Sequence, residues 1–364
     1  MNVTIVGAGI VGCATAYELA SRGARVRIVD PRGVGQGATR ASAGVLAPQI
    51  EGHSEPLLRL ASCSLGLYDS FIARVAADAQ RPIEYRRTGT LQVAQNEHEA
   101  QHLARAARRL DASHVENMLL DGDGARRLEP ALAPGIAAGL LVPQHGYVGV
   151  ATLMSALSDA SSQHGVIFTV APVQRIDRNP SGVEVMTPAE TIEADAVVIA
   201  AGSWSAGLPM APALPPPVRP IRGQLVHLRC PEPPVSRVIW GTRGYLVPWQ
   251  DGSLLVGATS EDVGFDERST AAGVQGLLER AGELVPATRM ARFEEVRVGL
   301  RPLTADELPV VGASSTMRGV YYATGHYRNG VLLAPLTALL MADLLLDGRE
   351  RPEHAAVRPD RFGL

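Results

Sequence analysis

The sequence predicts an α/β protein, in which a Rossmann-like dinucleotide-binding domain is joined to a discontinuous second domain built on its own sheet. Three observations carry this reading: a strand, a glycine-rich turn and a helix within residues 3–21; a continuous apolar strand in DAVVIAAGSWS at 195–205; and strand-like segments between 224 and 300, after which the chain returns to the first domain.

The apolar run 3–6 passes directly into Gly7, Gly9 and Gly12 of GAGIVG. Gly7 permits the tight turn, Gly9 lets the backbone approach a pyrophosphate, and Gly12 lets the following helix pack closely on the strands. That helix is expected over 13–21, ending at Gly23, and its amino end offers unpaired N–H groups and a partial positive charge to phosphate. A second strand at 25–29 delivers Asp30 to its carboxyl end, where an acidic side chain accepts from a ribose 2′-hydroxyl and disfavours a 2′-phosphorylated cofactor. The loop GVGQGATRASAGVLAP at 33–48 is too rich in small residues for a packing helix, and small residues let a backbone touch a ligand.

Residues 56–77 read as a helix, with Leu57, Leu60, Leu65, Leu67, Phe71 and Val75 near a 3.6-residue period. A strand at 89–94 precedes a polar, Ala/Arg-rich helix at 97–110; the chain turns at 143–150, and a helix at 153–164 ends near Gly165. Strands at 166–170 and 183–186 bracket a turn at 179–182. The run at 195–205 has the character of a buried parallel strand and ends on Gly202 and an aromatic, Trp204, expected exposed at a ligand edge. Pro-rich sequence at 209–220 marks a domain crossing, followed by strands at 224–228, 244–247, 254–259 and 291–300. A strand at 319–324, the tight loop GHYRNG and a helix at 331–346 return the chain to the nucleotide domain.

With 364 residues, 46% of them hydrophobic, the chain is long enough for two domains around ordinary cores. A formal charge of −3 with interspersed signs gives no basic footprint for nucleic acid or anionic lipid. The glycine fingerprint leaves no room for a removable leader, and the apolar run 331–346, interrupted by Pro335, Thr337 and Asp343, reads as too short for a membrane span, so a cytoplasmic location is expected. Cys13, Cys63 and Cys230 lack CxxC or Cys/His ligand spacing, and the nine histidines are scattered without metal geometry; neither a disulfide framework nor a metal is expected.

In this order the segments resemble the D-amino acid oxidase family of FAD-dependent oxidoreductases, and the carboxy-terminal wording most resembles its glycine oxidase branch of thiamine biosynthesis. The shared features are GAGIVG with Asp30, ASAGVLAP, VVIAAGSWS, IRGQ at 221–224, GYLVPW at 244–249, VGAT at 256–259, GLRPLTAD at 299–306 and GHYRNGVLLAP at 325–335. The resemblance covers nearly the whole chain. It implies an FAD-binding domain (1–85, 145–218 and 298–364) and a mixed-sheet substrate-binding domain (86–144 and 219–297), with FAD extended between them and its flavin at the interface.

By the same resemblance, Ile10, Val11, Asp30, Pro31, Ala38 and Thr39 would contact the adenosine and pyrophosphate half, and Val173 the adenine. Ala43, Gly44 and Val45 would lie along the flavin, with Gly202 and Trp204 in the same cofactor set. His326, Tyr327, Arg328, Asn329, Gly330, Val331 and Leu332 would wrap the pyrimidine edge, where the positive end of the last helix favours the charge of the reduced ring. No cysteine follows Cys230, so the carboxy-terminal thioether of sarcosine oxidases is lacking and FAD is expected to be noncovalent.

An amino acid substrate needs a fixed cation for its carboxylate. Arg301, restricted by Pro302 and able to grip a carboxylate bidentately, is the leading clamp, with Tyr245 supplying a hydroxyl and Arg328 approaching the substrate. Without the resemblance, Arg301 reads as a surface or an ion-paired arginine and Tyr245 as a half-buried sheet tyrosine. The implied chemistry needs no strong side-chain base: Cα hydride passes to flavin N5, the imine hydrolyses to a 2-oxo acid (glyoxylate from glycine), and oxygen is reduced to hydrogen peroxide. His326 stands as either a catalytic or a structural histidine. A homo-oligomer and handover of the imine to a thiazole-forming enzyme are the implied partners. The alternatives are a D-amino acid dehydrogenase passing electrons to a quinone, a sarcosine or other secondary-amine oxidase, and a flavin-binding scaffold.

Overall fold

A strand buried on both faces carries near-continuous apolar sequence, and the first strand, Asn2–Val6, buries Val3, Thr4, Ile5 and Val6 in succession. In a computed structural model, which describes residues 1–50, 54–180 and 182–364, it lies inside a six-stranded sheet. The order is Val310–Ala313, Val320–Thr324, Ala196–Ile199, Asn2–Val6, Arg25–Val29 and Ile167–Thr169, parallel except for the antiparallel first pair. Position 181, within the turn expected at 179–182, lies outside the described residues.

Alternation assigns each side chain to a face. Val3, Ile5, Val26, Ile28, Ala196 and Val198 pack beneath the helices Ile10–Ser21, Glu55–Ala79, Val150–Gln163 and Gly330–Asp347. Val6, Val29, Val197 and Ile199 face a four-stranded sheet formed by Thr191–Ala194, Gly182–Met186, Arg175–Asn179 and Met210–Ala211, antiparallel except for the last pair. The sequence reading excluded the last helix from a membrane on length. By length and composition Gly330–Asp347 does reach the size of a span, but its burial against Ile10–Ser21 and Glu55–Ala79 makes it a core helix.

The second sheet has eight strands, in the order Arg292–Leu303, Arg219–Arg229, Ser253–Gly257, Gly244–Pro248, Val238–Gly241, Thr90–Ala94, Ala138–Val142 and Met118–Asp121. Only Val238–Gly241 and Thr90–Ala94 pair in parallel, so the sheet is mixed. Val226, Leu246, Leu254 and Val256 turn toward the helix Ala271–Leu284, whereas Leu225, Val247 and Leu255 pack with Ala43 and Tyr147 on the opposite side. A three-stranded ribbon, Val45–Leu46, Gly146–Val148 and Tyr85–Arg86, completes the architecture. Sequence periodicity missed the Ala271–Leu284 helix and the short strands Val238–Gly241, Ala138–Val142 and Val310–Ala313, because a fully buried strand of four or five residues has no alternation to read.

Candidate active site

Two features of the parallel sheet aim at one place. The strand order reverses direction at Asn2–Val6, flanked by Arg25–Val29 and Ala196–Ile199, and open α/β sheets bind ligands beyond the carboxyl ends of strands at such a point. A cavity of about 780 Å³ begins there and continues to the face of the eight-stranded sheet. Every residue expected at the site lines it except Gly12: Gly7, Gly9, Ile10, Val11, Asp30, Pro31, Ala38, Thr39, Ala43, Gly44, Val45, Val173, Gly202, Trp204, Tyr245, Arg301 and the run from His326 to Leu332. Gly12 acts from behind, since a Cβ there would lie 2.0 Å from the Gly7 carbonyl oxygen.

At the glycine end, the helix Ile10–Ser21 opens without a side-chain cap from Gly9. The Thr39 hydroxyl instead accepts the Ile10 N–H at 3.0 Å. Asp30 accepts the Ala8 N–H at 2.9 Å and the Arg32 N–H at 2.7 Å, which fixes its carboxylate and leaves it further acceptor positions. Trp204 is half-buried rather than exposed, because the Arg32 guanidinium lies 3.9 Å above its ring and Phe265 tilts against it. The loop 37–45 lines the cavity with all its residues except Arg40, which pairs with Glu295 outside.

A second helix amino terminus, that of Gly330–Asp347, also lines the cavity. Pro335 has no N–H for the Val331 carbonyl, so the Tyr68 hydroxyl donates to it at 2.5 Å. Ser64 stands in the next rung, donating to the Leu332 carbonyl at 2.6 Å and accepting the Leu336 N–H at 3.3 Å. His326 is buried; its Nε2 meets the Thr337 hydroxyl at 2.9 Å, and burial pushes its pKa down to about 3. A neutral ring tied into the last helix points to a structural role.

The eight-stranded sheet supplies the polar end. Arg301 donates from Nη1 to the Thr259 carbonyl at 3.0 Å, and its guanidinium lies across Gly223. Tyr245 stacks on Trp240, with centroids 4.6 Å apart and planes inclined by 22°, and its ring lies across Gly257. A Cβ on residue 257 would fall 2.4 Å from the Tyr245 hydroxyl oxygen, so each polar group rests on a strand position cleared of side chain. Thr259 is itself braced: its hydroxyl accepts the Gln224 N–H at 2.8 Å and donates to Glu261 at 2.6 Å. Burial raises the Glu261 pKa, but bonds from Arg222, Thr259 and Gln224 outweigh that and hold it below the usual carboxylate range. Arg328 is exposed at the cavity margin, beside the ring of Tyr327.

Sequence reasoning missed Gly223, Gly257, Trp240 and Thr259. The available signal was glycine inside strand-like sequence, in IRGQ and VGAT, which marks close approach by another group. None of the three cysteines lines the cavity. The described residues hold no group of three or more His, Cys, Asp or Glu side chains placed for a metal.

The lining fits a dinucleotide: the amino termini of two helices, a backbone of small residues, and an acid fixed near the first. Comparison with known proteins agrees. The model of the DAO family, described as FAD dependent oxidoreductase, matches residues 2–344. The glycine oxidase of Geobacillus kaustophilus is 37% identical over 97% of this chain and 94% of its own length. The bifunctional protein ThiO/ThiG of Synechocystis sp. is also 37% identical, over 99% of this chain but 54% of its own length. Among solved structures, the G. kaustophilus glycine oxidase superposes with a TM-score of 0.90 at 36% identity, covering 96% of this chain and 95% of that one. The iminodiacetate oxidase of Chelativorans sp. superposes with a TM-score of 0.90 at 27% identity, covering 98% of each.

Proposed function

The chain belongs to the DAO family of FAD-dependent oxidoreductases, and from that premise we propose that it oxidises glycine and other small amines or D-amino acids to imines, which water converts to 2-oxo acids and ammonia. The observation that carries this reading is the pairing of Arg301 and Tyr245 over two side-chain-free strand positions, in the same cavity as the dinucleotide cradle.

In this reading residues 1–85, 145–218 and 298–364 form the cofactor-binding domain, and residues 86–144 and 219–297 carry the substrate. Ile10, Val11, Asp30 and Thr39 hold the adenosine and pyrophosphate half of FAD, and Ala43 to Val45 and His326 to Leu332 hold the flavin. FAD, when bound, supplies the acceptor for the hydride leaving the substrate Cα and passes the two electrons to oxygen, giving hydrogen peroxide. Arg301 grips the substrate carboxylate, Tyr245 donates its hydroxyl to the same group, and Arg328 closes the margin. Held at that end, the substrate presents Cα in one orientation, and orientation rather than a side-chain base carries the rate. The ammonium proton leaves to solvent through the cavity mouth. None of the three cysteines lines the cavity to form a thioether, and in this reading FAD is held noncovalently.

A secondary-amine substrate is the second reading, favoured by the structural likeness to an iminodiacetate oxidase. Handover of the imine to a thiazole-forming partner is supported by the relatives in which ThiO and ThiG share one bifunctional chain. Cytoplasmic location and self-association accompany this reading.

Anaerobic mixing of the purified protein with glycine, sarcosine, D-proline and an L-amino acid, following the visible flavin band, tests it. Bleaching by glycine, with recovery and peroxide on admitting air, is expected. Bleaching by none of the four would overturn the proposal.

A further inference from the structure

Residues 98–102 read HEAQH, the H-E-x-x-H spelling that puts two histidines on one face of a helix. The sequence reading passed over this spacing when it took the histidines as scattered. In the structure His98 and His102 occupy successive turns of the helix Glu97–Ala112, both exposed. Their Nε2 atoms lie 3.2 Å apart, with ring centroids at 4.5 Å and planes inclined by 70°.

That separation is informative. Two imidazole nitrogens bound to one ion at roughly 2.0–2.1 Å, and about 3.2 Å from each other, subtend an angle of roughly 100–105° at the metal, between a right angle and the tetrahedral value. The two nitrogens share a hydrogen bond, at a separation that one bridging ion could also span. We propose that His98 and His102 form a two-point chelate for a divalent transition-metal ion of the imidazole-preferring class, zinc, nickel or copper.

The local chemistry defines what such a site does. The Glu99 carboxylate accepts the Gln95 N–H at 2.8 Å, while the Glu99 N–H donates to the Asn96 side chain at 2.9 Å, so this glutamate caps the helix and does not serve as the base of a hydrolytic zinc site. With no third ligand of the usual types grouped there among the described residues, water completes the coordination. The helix packs on Thr90–Ala94, Ala138–Val142 and Met118–Asp121, and none of its residues lines the large cavity. The ion would therefore staple the first two turns of a surface helix and take no part in turnover.

Calorimetric titration of the flavin-loaded, untagged protein with zinc or copper salt tests the proposal, alongside His98→Ala, His102→Ala and the double variant. One ion per chain is expected, bound at least tenfold more weakly by either single variant. Thermal melts should show the ion raising the Tm of the wild type and not of the variants. Binding as tight in both single variants as in the wild type, or no binding by the wild type at millimolar ion, overturns the proposal.

Discussion

Gly223→Ala isolates the proposed carboxylate clamp from the proposed flavin cradle. The added Cβ would lie 2.3 Å from Arg301 Nη2, 2.4 Å from Cζ and 2.6 Å from Nη1. Ordinary contact needs about 3.5 Å, so the guanidinium must withdraw by roughly 1 Å. Residue 223 is opposite Gly299 in the ladder between Arg219–Arg229 and Arg292–Leu303, so the strand cannot easily yield instead. Loss of a charge-assisted contact costs about 1.5–3 kcal/mol, which is about 10- to 150-fold in kcat/KM. A displacement of this size near reacting atoms gives a similar figure of about 100-fold by a separate route. The assay is steady-state peroxide release with glycine, with flavin content read from the visible band, which should match the wild type. A kcat/KM within twofold of wild type, with Arg301→Ala severely impaired, would refute the claim that the guanidinium depends on a cleared strand. If Arg301→Ala were harmless as well, the clamp itself would be misassigned.

Arg301→Ala should lower kcat/KM by about 2–4 kcal/mol, roughly 30- to 900-fold, as measured with the same peroxide assay. Gly9→Val should give protein that purifies without its yellow colour, because the side chain enters the phosphate approach and a Cβ already stands 3.2 Å from the Thr39 hydroxyl; absorbance of the purified variant decides it. Tyr68→Phe leaves the Val331 carbonyl without its donor beside Pro335 and should cost about 1–3 kcal/mol, seen as a Tm lower by several degrees. His145 and His326 are buried with pKa values pushed down to about 3, His145 by burial and then by Arg87. The unfolded chain protonates these rings below about pH 6.5 while the folded one does not, so their contribution is full above that pH and is lost as pH falls toward 3. Denaturant melts between pH 7 and pH 4 should show this decline, and His145→Gln should flatten it.

The cofactor half of the site was the more legible in sequence because its determinants are local. Gly7, Gly9 and Gly12 occupy one turn, and Asp30 ends the neighbouring strand, so spacing alone places them together. The substrate half depends on register between strands. Arg301 reaches Gly223 only because Ile221 pairs with Arg301 in the antiparallel ladder, and Tyr245 meets Gly257 as its direct partner on the next strand. No period along one segment encodes such a meeting. The bracing of Thr259 by Gln224 and Glu261 was invisible for the same reason, as was the repair of the Pro335 break by Ser64 and Tyr68. His326 could be read only as a loop histidine until the fold showed it buried against Thr337, where burial sets its protonation.

The order of the six-stranded sheet also governs when the protein can come into being. Asn2–Val6, synthesised first, finds one parallel neighbour at Arg25–Val29, but its other neighbour, Ala196–Ile199, appears halfway through the chain, and the next strand, Val320–Thr324, close to its end. Residues through Thr324 must therefore leave the ribosome before these strands can pair, and the helix Gly330–Asp347 that covers them is later still. Such long-range pairing makes folding slow and leaves apolar strands uncovered during synthesis. A cavity lined by residues from Val6 to Leu332 is thus complete only after that helix has been made, and cells short of the cofactor should accumulate a protein that has been made but not matured.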